Sequence, residues 1–223
     1  LPVPGILQPE NAGWLIIFEA LLFQAVFLRL SNIIVNKNKE QAMKITENKL
    51  PKESLLYPDY SKYDYIDSFQ CVLSDFHNKV DIIEIGETFV QPGPGWFEKL
   101  MKLRDRIVSV FGLKTSEELS VKSKPGRHNW VPREQAGIFE VIKRTQNEII
   151  MGGDDKHLNA RVSLFLYRGA GNPAEKVFNI STLVEYNNFL GRAYFFFIKP
   201  FHRAIIPALL RREFEKLEKS INY

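Results

Sequence analysis

The chain has 223 residues, enough for one sizeable core or for one domain with an appendage. Apolar residues make up 45% and charged residues 25%, an ordinary globular balance; the net charge of +4 is scattered, without the dense basic stripe of a nucleic-acid binder. A single cysteine, Cys71, excludes an internal disulfide framework and a cysteine-based metal site, and it fits a reducing, cytoplasmic setting.

Residues 12–30 read AGWLIIFEALLFQAVFLRL, close to the roughly 20 apolar residues that span a bilayer. Glu19, Gln24 and Arg29 interrupt the run. A charge at mid-span costs about 2.5–3.5 kcal/mol, so Glu19 weighs against a simple span. The absence of a basic residue before the run and of a small-residue cleavage site after it weighs against a secretory signal. The segment reads as a membrane-proximal or domain-docked amphipathic helix, or as an extension outside the native product, because the character changes abruptly at Met43. The expected organisation is therefore an apolar segment over residues 1–42 and a domain over residues 43–223.

From Lys49 to Tyr63 the chain is a loop punctuated by Pro and Tyr. Tyr65, Asp67, Phe69, Cys71 and Leu73 then alternate with Ile66, Ser68, Gln70 and Val72, which predicts a strand. Val80 to Phe89 predicts a short helix, ended by Gln91-Pro92-Gly93-Pro94-Gly95. Phe97, Leu100, Met101, Arg104, Ile107, Val108 and Phe111 recur at helical spacing, so Trp96 to Phe111 predicts a second helix with Gly112 at its C-cap. Lys114 to Gln135 is a long polar loop; His128 there, like His77 earlier, reads as a surface or turn residue.

Ile138 to Thr145 and Glu148 to Met151 predict paired strands, followed by a tight turn at Gly152-Gly153-Asp154-Asp155. The alternation from Leu158 to Leu166 is the cleanest strand signal, and Gly169 to Pro173 turns the chain into a last strand from Val177 to Tyr186. Asn188 is placed to cap a long helix, which Pro200 and Pro207 should kink. Consecutive antiparallel strands with helices at both ends predict an α+β fold. One face of such a sheet packs on helices and the other meets water. A kinked helix over a curved sheet leaves unfilled room, which predicts a cavity between them.

The order strand, two helices, several strands and long helix resembles the helix-grip fold of START-like and pollen-allergen-like ligand-binding domains. Five segments also resemble an uncharacterised bacterial domain-of-unknown-function family: Tyr65 to Phe69, Trp96 to Arg104, Val110 to Lys114, Gly152 to Leu158, and Leu190 to Arg203. The likeness runs from about Ile45 to Arg212. It implies a curved antiparallel sheet wrapped on the C-terminal helix, and no particular reaction. Members of that family sometimes follow a nucleotide-sugar-epimerase-like dehydrogenase domain, which implies a dehydrogenase-type partner protein.

The densest polar cluster is Asp154-Asp155-Lys156-His157, where two carboxylates and an imidazole could hold a divalent metal, work as an acid–base pair or sit at a charged hairpin tip. Arg192 lies in the first turn of the long helix, where a cation opposes the helix dipole. It calls for Asp67, Asp154, Asp155 or Glu185 beside it, or a bound anion. With no Gly-rich phosphate loop, nucleophile elbow or HExxH, the sequence implies no cofactor and no metal. Three readings follow. The favoured one is a module binding a small apolar or amphipathic, lipid-like molecule. Its candidate contacts are Tyr65, Asp67, Phe69, Phe97, Met101, Phe139, Arg161, Arg192, Tyr194, Phe195, Ile198, Phe201 and His202. The second is an enzyme of cyclase, isomerase or hydrolase type, with His202 or His157 as base and Asp67 or Asp155 as partner. The third is an accessory domain that meets a membrane or a partner through residues 12–30.

Overall fold

The computed structural model describes residues 43–91, 126–169, 171, 172 and 174–222, with positions 95, 98, 99, 101, 102 and 105. Residues 1–42 and most of the expected helix from Trp96 to Phe111 lie outside this set, but every described position between 95 and 105 is helical.

Seven strands form one sheet. They are β1 (Thr46–Glu47), β2 (Tyr65–Ser74), β3 (Gln135–Ala136), β4 (Phe139–Arg144), β5 (Glu148–Asp154), β6 (Leu158–Arg168) and β7 (Glu175–Tyr186). Their spatial order is β1-β2-β7-β6-β5-β4-β3, and every pairing is antiparallel. The sheet is open and curved, with a register shift between Val141 and Lys143. Helix α1 (Ile82–Val90) follows β2, and the 34-residue helix α2 (Phe189–Asn222) follows β7. The arrangement is α+β and helix-grip-like.

The period-2 alternation sorts each strand between the two faces. On one face, Phe69, Cys71 and Leu73 of β2 join Phe178 and Ile180 of β7 and Val162, Leu164 and Leu166 of β6 in the main core. Leu210, Phe214, Leu217 and Ile221 of α2 close it from above, at successive spacings of four, three and four residues. The rings of Phe178 and Phe214 stack with centroids 4.6 Å apart. Ile82 and Ile85 of α1 complete this core together with Trp130.

The second face does not meet water as expected. Residues 48–63, ending in a short 3₁₀ helix (Tyr57–Lys62), fold back across it. Leu50 and Leu56 pack there on Ile150 and Leu183. The segment is anchored by a buried carboxylate: Glu148 accepts from the Ser54 hydroxyl at 2.6 Å, the Ser163 hydroxyl at 2.5 Å and the Leu55 amide at 2.9 Å. A polar loop covers this face because Ser54 and the Leu55 amide satisfy what the sheet buries.

One local expectation also changes. Gly152 and Gly153 lie inside β5, and the turn falls at Asp155 to His157. A Cβ on Gly152 would come within 2.4 Å of the Ala160 carbonyl oxygen, so here glycine serves close strand approach. Pro200 and Pro207 lie inside α2, which continues through both.

Candidate functional site

β2 places Tyr65 and Asp67 on the face turned to α2, and β7 places Thr182 there, directly opposite Asp67. Helix α2 crosses above them. Phe195 packs on the ring of Tyr65 at 4.7 Å between centroids, and its contact with Tyr186 spans 5.7 Å. Two turns further on, His202 reaches down to the sheet. Its Nε2 lies 3.3 Å from each oxygen of the Asp67 carboxylate and 3.1 Å from the Thr182 hydroxyl. The Tyr65 hydroxyl donates to Asp67 at 2.6 Å.

Asp67 is only 4% exposed, so its charge depends on these donors. Burial pushes the Tyr65 hydroxyl far above its ordinary pKa; the Asp67 hydrogen bond and the charge behind it push the same way, and Arg203 opposes them. Tyr65 therefore stays protonated and serves Asp67 as a permanent donor. Lys199 lies over the Tyr65 ring at 4.9 Å. The two carboxylate oxygens and the Thr182 oxygen are all acceptors, which places the imidazole proton on Nε2. Nδ1 of His202 carries no hydrogen bond among the described residues, and the side chain is 19% exposed. A histidine held by a carboxylate on one nitrogen, with the other nitrogen unengaged, is the geometry of a general base or of a ligand's polar anchor.

The other expected contacts divide. Tyr194, Phe195 and Phe201 are buried and Ile198 is half-buried on α2, while Phe69 and half-buried Phe139 belong to the main core or pack against it. Met101 is helical and half-buried, and Phe97 lies outside the described residues. Arg161 lies on the opposite face, where both its terminal nitrogens donate to Asp154. Arg192 points outward with 69% of its side chain exposed; its nearest carboxylate is Asp64 at 3.9 Å, which was not among those expected, and its guanidinium lies 5.8 Å from the centre of the Tyr186 ring.

Asp155 and His157 are used elsewhere. The β5–β6 hairpin tip docks on the start of α2, where the His157 carbonyl accepts from the Asn187 amide at 2.9 Å and Asn188 donates to Lys156 at 2.8 Å. Asn188 also caps α2 as expected, accepting from the Gly191 amide at 3.0 Å. The approach is so close that a Cβ on Gly191 would sit 1.8 Å from the His157 carbonyl oxygen. His128 was expected as a surface or turn residue. Its ring is instead 9% exposed beside Glu87, and Glu87 accepts from the His128 amide at 2.7 Å and from the fully buried Trp130 at 2.9 Å. The polar composition of that loop hid a buried indole and its carboxylate partner on α1.

Two clefts among the described residues stand out, and neither lies between the sheet and α2, where a cavity was expected. The larger, about 530 Å³, opens on the second face between residues 48–53, Tyr57 and the rings of Phe165 and Tyr167. The other, about 350 Å³, lies near Asp75 and Asn172. Among the described residues no group of three or more His, Cys, Asp or Glu side chains is placed to hold a metal ion. Thr182 was missed by sequence reasoning, because only the β2–β7 register reveals it opposite Asp67.

A curved antiparallel sheet carrying a long C-terminal helix, with a histidine from that helix on a buried aspartate, defines the class as a helix-grip-like α+β domain. Residues 60–209 match the family described as protein of unknown function (DUF2867), and the chain belongs to that family. No curated protein and no solved structure matches it.

Proposed function

We propose that the domain binds a small apolar or amphipathic molecule beside the first half of α2, its polar end on the unengaged nitrogen of His202. One observation carries the reading: a buried carboxylate and a half-engaged imidazole stand beside the packed rings of Tyr65 and Phe195. Small-molecule sites are typically apolar surfaces with a few convergent polar groups. Thermal shift against fatty acids and aromatic carboxylates tests it. A ligand that binds only the folded state raises Tm; a rise is expected with the wild-type chain and not with His202→Gln. A panel in which no member stabilises the chain would overturn the reading.

The Asp67–His202 geometry also favours a second reading, an acid–base enzyme of cyclase, isomerase or hydrolase type. Asp67 and Thr182 would hold the proton on Nε2, leaving Nδ1 to accept one from substrate. Turnover of a stabilising ligand, lost in Asp67→Asn while the Tm rise persists, selects this reading over simple binding.

A further inference from the structure

The first turns of α2 bury Tyr194 and Phe195 and leave the opposite side open. Phe189 is 79% exposed and Phe196 is 73% exposed. At 100° per residue, Phe189, Ala193, Phe196 and Pro200 fall on one narrow stripe, with Arg192 and Lys199 along its flank. A window of α2 is long and apolar enough to cross a membrane by composition, yet only 22% of it is buried. The helix is not free to span, because Phe195 and His202 on its other side are tied to the sheet. An apolar stripe beside cations on a fixed helix suits the boundary between lipid headgroups and acyl chains.

We infer that this stripe docks flat on an anionic lipid surface, with Phe189 and Phe196 entering the acyl boundary and Arg192 and Lys199 facing the phosphates. The charges favour lipid as the occupant. Arg192 is left open to solvent, with no carboxylate nearer than 3.9 Å, and Lys199 rests on an aromatic ring. Arg203 is already matched by Glu47 at 2.6 Å and adds little.

Flotation of the full chain with vesicles tests the inference, comparing phosphatidylcholine alone with phosphatidylcholine plus phosphatidylglycerol. The wild-type chain is expected to float with the mixed vesicles, and added salt should weaken it. Phe189→Ser with Phe196→Ser should weaken partitioning at least about tenfold. Arg192→Gln with Lys199→Gln should weaken it about fivefold per charge, on the anionic vesicles only. Phe189, Phe196 and Arg192 lie on the open side of the helix, and Lys199 is exposed with its ammonium over the Tyr65 ring; a urea midpoint verifies folding, and should the serine pair fail to fold, the glutamine pair decides. Failure of the wild-type chain to float overturns the inference. So does unchanged flotation of the folded variants, the result expected if residues 12–30 or a protein surface were responsible.

Discussion

Asp67 and Glu148 are both buried carboxylates on the same sheet, one on each face. Glu148, 2% exposed, is surrounded by hydroxyls and an amide, none of which changes protonation near neutral pH. Its hydrogen bonds tie residues 48–63 to the strands, and that is a structural lock. Asp67 is equally buried but faces a histidine and a tyrosine. Burial alone therefore does not mark a site here; the partners do. A carboxylate satisfied by inert donors holds chain together, whereas one that shares its field with an imidazole can hold or move a proton.

The largest effect should come from breaking the lock. Glu148→Leu leaves the Ser54 and Ser163 hydroxyls and the Leu55 amide without their acceptor, and should cost about 3 kcal/mol in urea unfolding. A loss under about 1 kcal/mol would mean that the covering segment contributes little.

A third buried carboxylate sharpens the comparison. Asp75 accepts from the amides of Lys79 and Val80 and pairs with Lys176 at 2.8 Å. Burial pushes its pKa up, but the Lys176 hydrogen bond and the two amides outweigh it, so the folded value lies below the ordinary 3.8. A lowered folded pKa contributes stability above the unfolded value, and that stability is lost as pH falls through the folded one. Asp75→Asn should remove about 2 kcal/mol at neutral pH and flatten the acid limb of a stability–pH curve. A variant with the same acid limb as wild type would refute this.

The smallest stability effect is expected at the candidate site. His202→Gln keeps a donor toward Asp67 and should cost about 1 kcal/mol or less, while removing the thermal response to ligand. A cost as large as that of Glu148→Leu would make His202–Asp67 a lock as well, and would remove the distinction between the two faces.

Much of the fold was legible in the residues. The alternation in Tyr65 to Leu73 and Leu158 to Leu166 marked long strands because one face of each joins the main core. Asn188 announced the start of α2 by its capping chemistry. The glycine pair at 152–153 misled, because close strand packing and turn formation favour the same residue. Residues 48–63 read as loop, and nothing local showed that Ser54 would meet a glutamate ninety-four positions away. Of the site, Tyr65, Asp67 and His202 were identified as types. Arg161 and Arg192 were grouped with them, although strand parity and helix phase turn both away.

Hydrophobic period, turn chemistry and capping act over a few residues, so the sequence by itself determined where the longer strands lie, where α2 begins and which residues could carry acid–base chemistry, but not the two-residue strands β1 and β3. Which of those residues meet was decided only by the tertiary structure. The β2–β7 register sets Thr182 opposite Asp67, and the passage of α2 over that pair lowers His202 onto both. These contacts join positions 115 and 135 residues apart in the chain. No local propensity encodes such a pairing; it follows from burying two apolar faces at once around one shared sheet.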